Sequence, residues 1–519
     1  MDKKEQRARQ EVTVTRESIE GLIDTVQKLY LADEIPWVVG YSGGKDSTAA
    51  LQLVWIALQR LRPEERIKTI HVINTDTLVE SPVVAEWAQR SLDCMEQSAR
   101  EQQVPFVMHK LTPKVENTFW VNLIGKGYPY PRKRFRWCTD RMKIRPVNDF
   151  IRERIAEHGE IIMVLGTRKA ESASRAKSMT FYEKKRVREL LSPNPTLANE
   201  LVFSPLAEWN DNDVWVFLMQ YENPWGYSNQ NLLTLYQGAT EDGECPLMNQ
   251  KDLPSCGKSR FGCWVCTMVE QDKSMQAMIT NDEEKQWMTP LLDLRNYIGD
   301  ETKDWARRDF RKMGGFLQGY KEKLSHGPYL KKTREDFLKQ LLKKQKIIRR
   351  LAPDEYKATQ LISLEELREI RRIWVQDKHE FDDSLPRIYR EVMGEEFPDT
   401  YPVGPQNFGQ AEWEELRRVC EEEYPEEKQI FELLYTMLDT ENRSGKMDKR
   451  KDVLEALEAQ IGKNFYRDEP DAQEYYFADM RRKRSMGATY SEQALDEAAG
   501  ETDEEIDEEM EEEENGYDY

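Results

Sequence analysis

The octapeptide Gly40-Tyr41-Ser42-Gly43-Gly44-Lys45-Asp46-Ser47 constrains this chain more than any other stretch. It follows the apolar run IPWVVGY (35–41) and precedes STAALQLVWIALQRL (47–61), so it joins a buried strand to a helix. Two adjacent glycines let the backbone turn until its amides converge on one point, which suits an anion. The helix N-terminus adds about half a positive charge there. Lys45 adds a full charge, and Ser42 and Ser47 supply hydroxyl donors. A Walker A loop is excluded, because Val39 stands where its first glycine is required and Asp46 where Ser or Thr must follow the lysine.

The surrounding pattern places the loop in an α/β fold. IKTIHVI (67–73), PFVMHKL (105–111) and EIIMVLG (160–166) are further apolar runs of strand length. Between them, 81–102 reads as a helix with Pro82 in its first turn, and 145–159 as a helix ending at Gly159. Such alternation predicts a doubly wound parallel sheet, whose ligands sit at the carboxyl ends of the strands.

The 519 residues divide by composition. Residues 1–34 form a helical lead-in, 35–220 the α/β domain, 221–280 a loop-rich segment with four of the seven cysteines, and 281–490 a helical domain. Residues 491–519 form an acidic tail, disordered by charge repulsion. The net charge of −20 is mainly a property of that tail: Glu492 to Tyr519 holds fifteen acidic and no basic residues, leaving −5 for the rest. No apolar run approaches the roughly 18 residues of a membrane span, so no membrane role is expected. The N-terminus lacks an apolar signal core, so the expected location is cytoplasmic, with reduced thiols. The cysteines are therefore metal or catalytic candidates before they are disulfides.

SGGKDS resembles the pyrophosphate loop of the ATP pyrophosphatases, the adenine nucleotide alpha hydrolase-like (PP-loop) superfamily. The resemblance implies ATP with Mg²⁺, and Ser42, Gly43, Gly44, Lys45, Asp46 and Ser47 as the pyrophosphate cradle. Asp46 either positions the metal or caps the helix. Other segments resemble the phosphoadenylylsulfate reductase branch. Asn74-Thr75-Asp76-Thr77 closes the second strand, where adenosine would lie, and makes Asp76 a cofactor residue. LGTRKAESASR (165–175) closes the fourth strand; there Gly166 allows close approach, Arg168 and Arg175 grip phosphate, and Glu171 belongs to the same signature. In SPLAEWNDNDVWVFL (204–218), Asp213, Val214 and Trp215 are expected mainly to pack a helix.

Cys263-Trp-Val-Cys266 is a CxxC turn that can direct two sulfurs at one metal, and Cys256 lies seven residues before it. Cys138, in RWCTDRMKIRP (136–146), resembles the cysteine segment of iron–sulfur adenylylsulfate reductases, although those relatives carry two adjacent cysteines there. The expectation is a [4Fe–4S] cluster on Cys138, Cys256, Cys263 and Cys266, with Cys245 as a sulfur carrier. The rival is structural zinc on Cys245, Cys256, Cys263 and Cys266. Cys94 and Cys420 fall within helical patterns and read as packing residues.

Taken together, the chain resembles the DndC-type sulfurtransferases of the DNA phosphorothioation system. The resemblance implies adenylation of a DNA backbone phosphate, release of pyrophosphate, and replacement of a non-bridging oxygen by sulfur. Lys45, Asp46, Arg168 and Cys245 would carry that chemistry. It also implies as partners DNA, a cysteine desulfurase as sulfur donor, and the ATPase and small DNA-binding subunits of the phosphorothioation complex. The alternatives are an adenylylsulfate-type oxidoreductase, a tRNA-thiolating enzyme and a noncatalytic scaffold. Two basic stretches are candidate DNA contacts: Lys126–Arg145, with eight basic residues against one acidic and interleaved aromatics, and Lys331–Arg350, with nine against two.

Overall fold

The computed structural model describes residues 12–132, 135–239, 261–320, 323–380, 382–398, 410–425, 427–444, 450–463 and 465–485. The chain forms two compact units. The first holds residues up to 114, 139–266 and 271–292; the second holds 115–138, 267–270 and everything from 293 onward. The second unit thus takes in an excursion from the middle of the α/β sequence.

The first unit begins with α1 (Arg16–Leu31), whose Thr15 and Ser18 form a reciprocal capping box. Then come β1 (Trp37–Gly40), α2 (Lys45–Gln59), β2 (Ile70–Thr75), α3 (Pro82–Gln102) and β3 (Phe106–Leu111). The excursion ends within a one-turn helix α4 (Trp137–Thr139), and a π-helical turn then leads into α5 (Arg145–His158), which stops at left-handed Gly159. β4 (Ile161–Val164), α6 (Ala173–Glu183), β5 (Ser192–Pro193) and β6 (Glu200–Phe203) follow, then α7 (Asp211–Gln220), α8 (Asn229–Gly238) and α9 (Lys273–Asn281).

The sheet order is β3-β2-β1-β4-β6-β5, parallel throughout except for the short edge strand β5. Alternate residues of the central strands feed different cores, as a sheet covered on both faces requires. Trp37, Val39, Ile162 and Val164 join the core made with α1, α2, α3, α7 and α8, whereas Val38, Ile161 and Met163 face Phe150 and Ile151 of α5. Helix α2 is buried almost all round, as its continuous apolar sequence demands. The chain winds from β1 outward to β3 and then returns to place β4 on the other side of β1. Between β1 and β4 the winding reverses, and the carboxyl ends of the strands at such a point are where open α/β sheets bind ligands.

The second unit is built from helices. Beyond α10 (Thr289–Ile298), which straddles the boundary, come α11 (Glu301–Arg307), the short hairpin β7 (Gly319–Tyr320) and β8 (Lys323–Leu324), α12 (Lys331–Leu351), α13 (Leu364–Arg372), α14 (Ser384–Met393), α15 (Gln410–Glu423), α16 (Lys428–Ser444), α17 (Arg450–Lys463) and α18 (Glu469–Ser485). The excursion 115–138 lies in its core. Trp120 Nε1 donates to the Leu361 carbonyl, and Trp374 Nε1 donates to the Ile124 carbonyl at 2.9 Å. No described helix is long and apolar enough to cross a membrane.

Candidate functional site

The loop after β1 sits at the reversal point of the sheet. Gly43 is left-handed at φ +76°, the conformation that its neighbours need and that a side chain would strain. Its carbonyl accepts from Trp87 Nε1 at 3.1 Å. The Ser42 amide donates to Ser47 Oγ at 3.1 Å, the two hydroxyls lie 3.0 Å apart, and Ser47 Oγ donates back to the Gly44 carbonyl. The serines thus tie the turn across its own mouth. Gly44 is the N-cap of α2 and brings no side-chain cap, so Asp46 lies inside the first turn and does not cap the helix.

The β4 loop closes on this turn. A Cβ on Gly166 would meet the Asp46 carbonyl oxygen at 2.5 Å, so only glycine permits the approach. Four charged side chains meet there. Lys45 Nζ contacts Asp46 Oδ2 at 3.0 Å and Asp211 Oδ1 at 3.2 Å. Arg168 Nη2 donates to Asp211 Oδ1 at 2.7 Å, and its Nε lies 2.8 Å from Asp46 Oδ1, an ion-pair contact without hydrogen-bond geometry. Lys45 and Arg168 are only 6% and 2% exposed, so unpaired they would carry a large desolvation cost. Burial pulls Lys45 down, but Asp46, Tyr236 and Asp211 outweigh it and hold its pKa above the ordinary value. The same contest, won by Asp46 and Asp211, raises Arg168. For Asp211, burial pushes upward but Lys45 and Arg168 leave its pKa lowered. All three groups stay charged.

Tyr236 of α8 completes the loop. Its hydroxyl accepts from the Lys45 amide at 3.2 Å, and burial raises its pKa. Asp76, after β2, accepts from the Leu78 amide at 2.8 Å and pairs with Lys110 at 2.9 Å. Arg175 pairs with Glu171, which also accepts from the Arg168 amide at 2.9 Å. Asp213 is fully buried and accepts from Thr13 N, Thr13 Oγ1, Val14 N and Asn210 N, tying the chain ahead of α1 to the start of α7. Val214 and Trp215 pack in the core as expected, whereas Asp213 acts as a clamp.

The CxxC turn is docked at the neighbouring strand. Cys263 pairs with Glu80 in an isolated antiparallel bridge, and the Trp264 amide donates to the Val79 carbonyl at 2.9 Å. The Cys263 sulfur lies 3.3 Å from Thr77 Oγ1 and 3.6 Å from Glu80 Oε1, which also accepts from Thr77 at 2.9 Å. The Cys266 amide closes the turn on the Cys263 carbonyl at 3.0 Å. Cys263 and Cys266 are therefore held together beside the carboxyl end of β2. Cys138 belongs to the second unit, and Cys245 and Cys256 lie outside the described residues. Among the described residues, no group of three or more His, Cys, Asp or Glu side chains is arranged to hold a metal ion.

The basic stretches behave differently from their sequence appearance. In Lys126–Arg145 the interleaved Tyr128, Tyr130 and Trp137 are buried, with Trp137 stacked on Phe119 at 5.4 Å. Those rings pack the second unit and are not presented to bases. In α12, Lys331, Arg334, Lys339 and Lys344 pair with Asp382, Glu380, Glu391 and Asp293. Two residues of the site were missed in the sequence, Asp211 and Tyr236. Asp211 stands inside SPLAEWNDNDVWVFL, two residues before Asp213, where nothing in the pattern singled it out; Tyr236 carries no signal either.

Residues 36–268, somewhat under half of the chain, match the family model described as phosphoadenosine phosphosulfate reductase domain. An uncharacterized protein of Methanocaldococcus jannaschii is 25% identical over 259 residues, 48% of this chain and 42% of that protein. The chain therefore spans less than half the length of that curated relative. Among solved structures, a phosphoadenylyl-sulfate reductase from Candida auris is 14% identical, with a TM-score of 0.24, over 40% of this chain and 88% of its own. A U34-tRNA thiolase from Methanococcus maripaludis, solved with its [4Fe–4S] cluster, is 11% identical, with a TM-score of 0.26, over 55% and 81%. At TM-scores this low the superpositions add nothing to the fold, which rests on strand order.

Proposed function

We propose that the chain is an ATP-dependent sulfurtransferase that activates a backbone phosphate of DNA by adenylation. The observation that carries the reading is the meeting of Lys45, Asp46, Arg168 and Asp211 at the sheet's reversal point, on the Ser42–Ser47 turn. The cysteine turn moored beside β2 adds thiols at the same edge of the sheet.

A phosphodiester oxygen is a poor leaving group, and transfer of AMP from ATP to it supplies a good one. The DNA oxygen attacks the α-phosphorus, the bond to the β-phosphate breaks, and pyrophosphate departs into the loop. Lys45 and the loop amides oppose the charge that develops on that leaving group. Arg168, held by Asp211, presents a second fixed cation. Asp46, a carboxylate on the pyrophosphate loop, would hold Mg²⁺, whose contribution is further charge neutralisation. A sulfur atom carried on Cys245 as a persulfide then displaces AMP at phosphorus, and a thiol cleaves the remaining sulfur–sulfur bond. The cysteine desulfurase would load Cys245.

Cys138, Cys256, Cys263 and Cys266 remain the proposed [4Fe–4S] ligands. Cys263 and Cys266 fit by sharing one turn, and when bound the cluster would offer iron as a site for sulfur. No step above depends on it. Iron and acid-labile sulfide analysis of anaerobically purified protein tests the ligand set; zinc without sulfide would assign a structural site.

The function itself is tested by incubating the full chain with ATP, DNA and a desulfurase charged from labelled cysteine. Label entering DNA only with ATP supports the reading; label entering tRNA instead opposes it. The family match favours one second reading, a reductase, which sulfite production from an adenylylated sulfate would support.

A further inference from the structure

We propose that Arg175–Arg188, which spans α6 and the turn after it, is a docking surface for the phosphate backbone of a nucleic acid. The segment starts four residues beyond Glu171, at the lip of the candidate site. It holds six basic residues against one acidic, Glu183.

Helix α6 is eleven residues long and not one of them is buried. A helix that short is marginal on its own and ordinarily earns its stability from an apolar face packed on the core. Here Phe181 is 50% exposed, Met179 and Tyr182 are half-buried, and Val187, in the turn after the helix, is 66% exposed. The local cap, Ser172 accepting from the Arg175 amide at 3.1 Å, holds only the first turn.

The basic groups divide sharply. Arg175 pairs with Glu171, Arg186 with Glu183, and Arg188 with Asp33 and Glu160. Lys177, Lys184 and Lys185 are exposed and have no acidic partner among the described residues. Lys185 lies over the Phe181 ring at 4.1 Å, an ammonium poised on an exposed aromatic face. In α12, four of the nine cations, Lys331, Arg334, Lys339 and Lys344, pair with acids of their own unit. Exposed Ser174, Ser178 and Thr180 add hydroxyl donors along the helix. Unneutralised lysines, hydroxyls and a solvent-facing ring suit a chain of phosphates. The choice of nucleic acid among polyanions rests on the function proposed above.

The test is binding of the full chain, without ATP or sulfur donor, to a duplex of about 20 base pairs and to a structured RNA across a salt series. The proposal expects Lys177→Ala/Lys184→Ala/Lys185→Ala to weaken binding at least tenfold and to reduce the salt slope for the duplex by about 2–3 log units per log unit of salt. The matching triple Lys→Arg variant should keep both. Unchanged affinity and slope on both nucleic acids, or no binding by the wild type, overturns the surface. Because no turnover is read, a failed sulfur-transfer assay leaves this result standing, and unchanged ATP affinity of the triple variant in calorimetry separates a failed surface from a failed loop.

Discussion

The Cα of Gly166 stands so close to the carbonyl oxygen of Asp46 that a methyl group built on it would approach within 2.5 Å. The neighbouring Asp46 carbon and Ser47 nitrogen are at 2.7 and 3.0 Å, so the obstacle is backbone and cannot swing aside. This contact joins the β4 loop to the first turn of α2 and thereby sets Arg168 against Lys45. Gly166→Ala should push the two loops apart. The expected outcome is a loss of ATP affinity of at least tenfold with a destabilisation of about 1–3 kcal/mol, read by calorimetry and urea unfolding.

Asp211 holds both cations of the site and is the carboxylate that sequence reading passed over. Asp211→Asn removes one negative charge from a set of two cations and two anions. Inorganic pyrophosphate should bind more tightly to this variant in calorimetry. Nucleotide cleavage should still fall, because Arg168 loses its charged support.

Asp213→Ala addresses stability alone. It removes the acceptor of Thr13, Val14 and Asn210 from a fully buried position, at a cost of about 3 kcal/mol. Limited proteolysis should then cut ahead of α1 at protease levels that leave the wild type intact.

His71 and His109 face each other across β2 and β3, with Nδ1 and Nε2 at 2.9 Å. Burial, then His109, Arg154 and His158, push His71 down to about 4. Burial and Arg154 also lower His109. The unfolded chain takes up protons from about pH 6.5 downward while the folded pair resists. The pair's contribution is thus fully present above that pH and is lost as pH falls toward 4. Urea midpoints should decline over this window, and His71→Leu should flatten the decline; an equal slope in the variant would remove the pair as its source.

The sheet was legible because each central strand is a continuous apolar run, and both faces of a parallel sheet demand that. The loop at 40–47 was legible because its chemistry is contiguous. Other features depend on separation. Tyr236 reaches the Lys45 amide from 191 residues away, and no local pattern encodes that meeting. The pairing of Lys331, Lys339 and Lys344 of α12 with Asp382, Glu391 and Asp293 is likewise invisible in the basic run itself, because each acid lies about 50 residues away. The excursion 115–138 carries ordinary helix and turn residues, and only the partners of Trp120 and Ile124 reveal which unit it serves. In the CxxC turn the spacing was visible; its mooring to Thr77 and Glu80 was not.

The most direct measurement is the identity of the products formed from ATP labelled at the α-phosphate and, separately, at the γ-phosphate. The full chain would be assayed with DNA and a charged desulfurase, beside Lys45→Ala. AMP and pyrophosphate in the wild type, reduced by at least a hundredfold in the variant, are what a pyrophosphate loop at this site requires. ADP and inorganic phosphate, or AMP formation that survives the loss of Lys45, would contradict it.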